Sequence, residues 1–286
     1  MAEAPLTVQA YLHLAHVQGV ARLDATLLLG EAVQQSRTWL IANGEYALTP
    51  LEEQQGLRWL KQRAQGVPLA YLLGRREFHG LMLKVTPAVL DPRPDTETLV
   101  DWALELWPAA EPTGGPSSPS RPLRVLDLGT GSGAIALALK AAHPLALVHA
   151  CDASPAALAV AQNNATSLGL PLTFHTGHWW GAVHGLRFDL AVANPPYIRE
   201  DDPHLPALVH EPASALVAGQ QGLADLWSII EAAPAHLEAG AWLLLEHGHD
   251  QASAVAQALV EAGFVDITHR HDLSGHTRCT GGRLPR

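Results

Sequence analysis

Asp127-Leu128-Gly129-Thr130-Gly131-Ser132-Gly133 joins a strand-like stretch, 123–128, to an alanine- and leucine-rich helical stretch, 134–142. Glycines let the backbone turn tightly and let a ligand approach it closely. The helix that follows offers free N–H groups at its start. The next predicted strand, 146–152, closes on Asp152, 19 residues after Gly133. An acidic side chain there can accept both hydroxyls of a ribose. Strand, glycine turn, helix and acidic strand end stand in the order that a nucleoside-bearing cofactor requires.

Working outward, strand and helix patterns alternate to the end of the chain. A helix is predicted over 155–168, a short apolar strand over 172–175 and a strand over 188–193. Helices over 226–237 and 252–262 alternate with strands over 241–246 and 264–269, and a last short strand is expected after Arg278. Alternation of this kind implies a mostly parallel α/β sheet with helices on both faces, Rossmann-like in class. Upstream, residues 1–74 read as a small all-helical domain. Val8, Tyr11, Leu12 and Ala15, then Leu23, Leu27 and Leu28, then Leu57, Leu60 and Ala64 recur at helical spacing. Thr49-Pro50-Leu51-Glu52 is a capping box with proline in the first turn. Residues 75–92 contain a hairpin around Gly80, followed by Asp91-Pro92-Arg93-Pro94-Asp95 and a helix over 96–107. The proline- and serine-rich segment 108–122 reads as a flexible surface loop. The domains are therefore placed at 1–74 and 75–286.

A second constellation follows the strand over 188–193. Asn194-Pro195-Pro196-Tyr197 sits at a strand's C-terminal end, where open α/β sheets bind their ligands. Two prolines lock the backbone and remove two donors, so main-chain carbonyls are free to face a substrate. The Asn194 amide adds an acceptor oxygen and a donor NH₂. Tyr197 offers a flat ring with a polar tip. The set suits a planar group that bears an NH₂.

Composition narrows the field. The 286 residues carry 18 basic and 28 acidic side chains, a net charge of −10. That balance disfavours non-specific binding of nucleic acid, which runs on phosphate neutralisation. Two cysteines, Cys151 and Cys279, cannot build a disulfide framework or a four-thiol metal site. The histidine groups His175, His178, His184 and His269, His271, His276 lack partner ligands at metal spacing, so no metal is expected. Residues 1–5 do not read as a signal peptide and no apolar run is long enough for a bilayer, so the expected compartment is the cytoplasm and no membrane partner is expected.

Both a dinucleotide and S-adenosylmethionine fit a glycine turn before an acidic strand end. A dinucleotide fingerprint reads Gly-x-Gly-x-x-Gly, whereas this turn reads Gly-x-Gly-x-Gly with an acid two places ahead. That spacing resembles the first motif of S-adenosylmethionine-dependent methyltransferases. Pro68-Leu69-Ala70-Tyr71, Glu77-Phe78-His79-Gly80-Leu81, Pro92-Arg93-Pro94-Asp95-Thr96-Glu97 and Leu243-Leu244-Leu245-Glu246-His247-Gly248 extend the likeness. With the two sites already described they make six ordered motifs. Nearly the whole chain then resembles the protein-glutamine N5-methyltransferases of peptide chain release factors.

The resemblance implies that Gly129, Thr130, Gly131, Ser132, Gly133, Asp152, Trp179 and Asn194 hold S-adenosyl-L-methionine. It implies that Asn194, Pro195, Pro196 and Tyr197 bind the glutamine amide of a Gly-Gly-Gln loop, with Asn194 the catalytic residue, and that the helical domain docks the factor. The chain departs from the family pattern at Asp91, where an apolar residue is usual, at His178, where an aspartate is common, and in the length of the segment near 115. An adenine N6 methyltransferase acting on DNA or RNA would present a similar planar NH₂ and is the alternative. The acidic balance and the absence of a target-recognition domain speak against it. A non-catalytic cofactor-binding module would have no use for the Asn194 clamp.

Overall fold

The computed structural model describes residues 5–106 and 121–286. The chain divides after Arg75 into two compact units. Of the loop expected over 108–122, only residues 121 and 122 are described.

The first unit contains α1 (Val8–Val17), α2 (Arg22–Val33), α3 (Arg37–Ala42), α4 (Pro50–Ala64) and α5 (Leu69–Leu73). Capping chemistry sets the starts. Thr7 accepts from the Ala10 amide and Ser36 from that of Trp39. Thr49 and Glu52 exchange hydrogen bonds in the expected capping box. Val8, Tyr11, Ala15, Leu28 and Leu60 lie inside, as the helical spacing predicts. The Tyr11 hydroxyl donates to the carbonyl of Gly56 at 3.0 Å. A Cβ at position 56 would approach the Tyr11 ring to 3.0 Å, which is why α4 carries glycine there. Leu23 and Leu27 depart from the expected pattern and are 54% and 40% exposed. Three leucines in succession support more than one apolar face, and α2 buries Ala25, Leu28, Leu29 and Val33 instead.

The second unit opens with a two-stranded sheet, β1 (Arg75–Phe78) and β2 (Leu81–Lys84), and α6 (Glu97–Leu106). There follow β3 (Arg124–Leu128), α7 (Ala134–Ala142), β4 (Leu147–Asp152), α8 (Pro155–Leu168), β5 (Thr173–Thr176) and β6 (Phe188–Ala193). The chain ends with α9 (Gly219–Gly222, a single distorted turn), α10 (Ala224–Ala232), β7 (Leu237–Glu246), α11 (Ala252–Glu261), β8 (Val265–His271) and β9 (Thr277–Arg283). The strands form one sheet in the order β5-β4-β3-β6-β7-β9-β8. All neighbours from β5 to β7 are parallel, and β9 runs antiparallel to both β7 and β8. The expected α/β class stands, with helices on both faces.

One helix is shorter than the sequence suggests. The expected helix over 226–237 ends at Ala232, because Pro234 has no N–H to continue the ladder. Leu237 therefore opens β7, four residues before the strand expected from 241. The strand expected after Arg278 spans Thr277–Arg283 and lies inside the sheet.

Successive strand residues face opposite ways. Val125, Leu190 and Val192 pack with Leu99 and Trp102 of α6 and Leu137 of α7. Leu126, Leu128, Ala191 and Ala193 pack with Ile229 of α10 and Val255 and Leu259 of α11. Among the described residues no helix is long and apolar enough to cross a membrane.

The topology positions the site. From β3 the chain runs outward to β4 and β5, then returns to place β6 on the other side of β3. Strand order reverses there, and a crevice forms at the carboxyl ends. Leu128 pairs with Cys151 on one side and Ala193 on the other, and Ala193 pairs with Leu245. Residues 129, 152, 194 and 246 therefore emerge side by side, although 117 positions separate the first from the last.

Candidate active site

A cavity of about 400 Å³ opens at these strand ends, within the range of roughly 300–1,000 Å³ typical of small-molecule sites. Gly129, Thr130, Gly131, Ser132, Asp152, Trp179, Asn194 and Pro196 line it. Thus the glycine turn, the acidic strand end, Trp179 and half of the Asn-Pro-Pro-Tyr segment share one wall system. Gly133 sits just behind, at φ +85°, where a Cβ would press on Leu137 and Ala161. Pro195 is buried and Tyr197 half-buried, and neither is among the lining residues.

The turn is held by the acid two places ahead of its first glycine. Asp127 is fully buried, and its Oδ2 accepts from Thr130 Oγ1 at 2.6 Å and from the Ala136 amide at 3.2 Å. Strand, turn and helix start are thereby tied to one carboxyl. The amides of Gly129 and Thr130 both donate to the Cys151 carbonyl at 2.9 Å. Gly131, at φ +55°, leaves open space where a Cβ would project, so the backbone itself faces the cavity. Asp152 Oδ2 accepts from the Gly131 amide at 2.9 Å and its Oδ1 from the Ser154 amide at 2.8 Å. Each oxygen keeps a lone pair for a hydroxyl in the cavity.

Trp179 holds an unusual backbone, φ +43°, which bulky residues rarely adopt outside constrained sites. Its ring lies against Gly129, where a Cβ would stand 3.0 Å away. Its Nε1–H donates to Asp225 Oδ1 at 3.1 Å, which fixes the ring plane at the cavity wall. Asp225, from α10, was missed in the sequence; nothing near it carries a motif.

Asn194 Nδ2 donates to Thr96 Oγ1 at 3.1 Å. Thr96 ends the short helical turn Pro94–Thr96 that leads into α6, and it also lines the cavity. The Tyr197 hydroxyl turns inward and donates to Glu246 Oε1 at 3.1 Å. Glu246 ends β7 and is buried; burial lifts its carboxyl to about 7, against the charge-favouring hydroxyls of Thr96 and Tyr197 and the Arg278 guanidinium. Its Oε2 has no hydrogen-bond partner. Thr96 lies in the Pro92–Glu97 motif and Glu246 in the Leu243–Gly248 motif. The bonds from Asn194 to Thr96 and from Tyr197 to Glu246 are long-range and carry no local signal.

The two unusual positions resolve differently. Asp91 is buried, and its charge lies 3.6 Å from Arg76 and 3.8 Å from Arg93. Its amide donates to Glu211, and Arg93 in turn pairs with Glu211. A four-charge cluster thus occupies the place of an apolar contact. His178 lines the cavity, with its ring edge-on to Trp179. Of the histidine groups weighed as metal ligands, His175 instead stacks on His149 at 5.2 Å between centroids. Among the described residues no cluster of three potential ligands forms.

Burial also lifts the Asp127 carboxyl, to about 7. Its folded value then lies above its unfolded one, so folding takes up a proton. The stability this confers is complete below about 4 and is lost as pH rises through about 7, at ~1.4 kcal/mol per pH unit. Asp127→Asn keeps the acceptor oxygen and removes the titration. The wild type's melting-temperature advantage over this variant is expected to shrink by several degrees between pH 5 and pH 8. An advantage that grows with pH would show the carboxyl to be charged.

Comparisons with known proteins agree in kind with this geometry. Residues 7–74 match the PrmC N-terminal domain family, and residues 119–221 match the methyltransferase small domain family. A release factor glutamine methyltransferase of Xylella fastidiosa is 44% identical over 274 residues, 95% of this chain and 96% of its own length. The release factor glutamine methyltransferase of Escherichia coli is 43% identical over 265 residues, 92% of each chain. Among solved structures, the hMettl16 catalytic domain in complex with the MAT2A 3'UTR hairpin 1 aligns at a TM-score of 0.56 and 15% identity, covering 79% of this chain and 83% of that one. The Thermus thermophilus 16S rRNA N2 G1207 methyltransferase, in complex with AdoMet and guanosine, aligns at 0.53 and 19%, covering 73% of this chain and 49% of that one. Identities this low carry the fold alone. The full-length relatives, similar across both units, decide the matter: the chain belongs to the release factor glutamine methyltransferase family.

Proposed function

We propose that this protein transfers a methyl group from S-adenosyl-L-methionine to the side-chain amide nitrogen, N5, of the glutamine in the Gly-Gly-Gln motif of peptide chain release factors. One observation carries the reading. A fixed side-chain amide, Asn194, stands beside the glycine turn in a single cavity, in a chain of this family.

The residues present fit the methyl donor. The open backbone at Gly131 admits close approach, Asp152 keeps lone pairs for ribose hydroxyls, and Trp179 presents a ring for a flat base. Gly129, Thr130, Gly131, Ser132, Gly133, Asp152, Trp179 and Asn194 would hold it. When bound, it supplies a methyl group made electrophilic by its sulfonium.

The chain's own residues place the acceptor. Asn194 gives its NH₂ to Thr96, so its carbonyl oxygen remains to accept one N–H of the substrate amide. A main-chain carbonyl of Pro195 or Pro196, which have no N–H to compete, accepts the other. Both N–H bonds held in plane leave the nitrogen's face directed at the methyl group. A carboxamide nitrogen is a weak nucleophile, so positioning supplies most of what the reaction needs. No base is required before the carbon–nitrogen bond forms, because the nitrogen becomes acidic only afterwards. Tyr197 braces the segment through Glu246.

The helical unit, residues 1–74, serves as the docking surface for the factor, and the reaction takes place in the cytoplasm. The test is transfer of labelled methyl from S-adenosylmethionine to a purified release factor. Label is expected on the factor and not on one whose loop glutamine is replaced by alanine. Label on both, or on duplex or structured RNA instead, would overturn the assignment.

A further inference from the structure

We infer that Gln251 is a positioning residue whose side-chain amide holds the Asn194–Tyr197 segment, and the loop paired with it, in place from behind. The inference rests on the proposed reading that this segment binds the substrate amide.

The hydrogen bonds fix the Gln251 amide in one direction. Gln251 stands just before α11 and is buried. Its Oε1 accepts from the Gly248 main-chain amide at 2.8 Å. A main-chain N–H only donates, so the NH₂ end must face the other way. There Nε2 donates to two carbonyls, that of Tyr197 at 3.1 Å and that of Gln221 at 3.3 Å. Carbonyls only accept, so a flipped amide would set an oxygen against two oxygens. None of these groups titrates. The turn that carries Gly248 is anchored in its own right. His247 is buried, its Nδ1 donates to the Gly248 carbonyl at 2.8 Å, and its Nε2 hydrogen-bonds Thr280 Oγ1 of β9 at 2.6 Å.

Two features give Gln251 leverage on the clamp. Asn194 and Pro195 each precede a proline, and Pro195 and Pro196 have fixed φ. The segment is therefore stiff, and a shift at the Tyr197 carbonyl is passed on to Asn194. The second feature is the paired loop. The Ile198 amide donates to the Leu216 carbonyl and the Ala218 amide to the Ile198 carbonyl. That loop continues through Gln220, Gln221 and Gly222 at φ +54°, +61° and +81°. Glutamine rarely holds the left-handed region, and such a run persists only where its surroundings impose it. Gln251 bonds the middle member of the run and the acceptor segment with the same NH₂. It does so from 54 positions beyond Tyr197, and it is not among the residues that line the cavity.

Gln251→Met keeps the length of the side chain and removes its hydrogen bonds. With S-adenosylmethionine saturating and a release factor as acceptor, it is expected to lower kcat/KM by about tenfold (~1.4 kcal/mol) through misplacement of the clamp. Gln251→Glu, assayed at mildly alkaline pH, keeps the bond from Gly248 and sets an oxygen against the two carbonyls, so it should lose at least about threefold. Affinity for S-adenosylmethionine should hold in both variants. Leu259→Ala supplies the control for stability. It opens a cavity under the same helix, away from these bonds, and should lower the melting temperature while kcat/KM at 25 °C stays within about twofold of wild type. Because Gln251 acts through the segment that carries Asn194, adding Gln251→Met to Asn194→Ala should cost less than about threefold further. Wild-type kcat/KM in either Gln251 variant, fully additive losses in the double variant, or an equal loss in Leu259→Ala would each overturn the inference while the methyltransferase reading stands. A wild-type protein that leaves the factor unlabelled would remove both.

Discussion

Asn194→Ala is expected to reduce kcat/KM for release factor methylation by ~10²–10³-fold, the usual cost of losing a pre-positioned polar group or of misplacing the substrate by about an ångström. The substitution removes an acceptor for the substrate amide and the donor to Thr96 together, so it deletes the clamp at both ends. It removes no part of the Asp127 network that shapes the glycine turn. Affinity for S-adenosylmethionine, measured by calorimetry, should therefore change much less than turnover. A variant that keeps kcat/KM within about tenfold would take Asn194 out of the reaction.

Gly222→Ala should be the most damaging single-methyl change in the second unit. Gly222 is buried at φ +81°, and a Cβ there would lie 2.1 Å from the carbonyl oxygen of Tyr197 and 2.8 Å from Gln251 Nε2. Gln251 Nε2 donates to that same carbonyl at 3.1 Å. The glycine, the glutamine and the Tyr197 carbonyl form a peg behind the Asn-Pro-Pro-Tyr segment. An alanine must move backbone, since the Gln251 side chain could turn aside but the Tyr197 carbonyl cannot. The left-handed conformation costs ~1–2 kcal/mol and forced overpacking a further ~1–3 kcal/mol. A loss of that size lowers the melting temperature by roughly 5–15 °C in a unit this large. Whatever fraction folds should also be slow, because displacing Tyr197 carries Asn194 with it. A melting temperature within ~2 °C of wild type would show that the peg yields more easily than its geometry implies.

What the sequence made legible was local. The Asp127–Gly133 turn, the helices α7 and α8 and the strand β6 follow from capping, periodicity and turn chemistry within a few residues, and their expected bounds match the structure closely. Asp152 and Asn194 were also nameable, because each stands at a predicted strand end or just after one, whereas Trp179 was named only through the family resemblance. The partners that hold them were not. Asp225 fixes the Trp179 ring from 46 positions away, and Glu246 meets Tyr197 across 49. No window of sequence contains such pairs; strand order creates them. The same holds for Asp91, which is an anomaly in sequence and a member of a charge cluster in space. Leu23 and Leu27 show the converse limit. Periodicity identifies an apolar helix but cannot say which of its faces meets a neighbour.

The place of β9 bears on how such a protein is made. It is the last of the described strands in sequence, yet it lies between β7 and β8 rather than at a margin. During vectorial synthesis the chain emerges from the ribosome N-terminus first. β3 to β7 can align as they appear, but the far side of β7 then stays an open, hydrogen-bond-hungry margin until the final strand has cleared the exit tunnel. Sheet closure in this sense waits on β9, and the interval before it is when a nascent chain most needs protection from its neighbours.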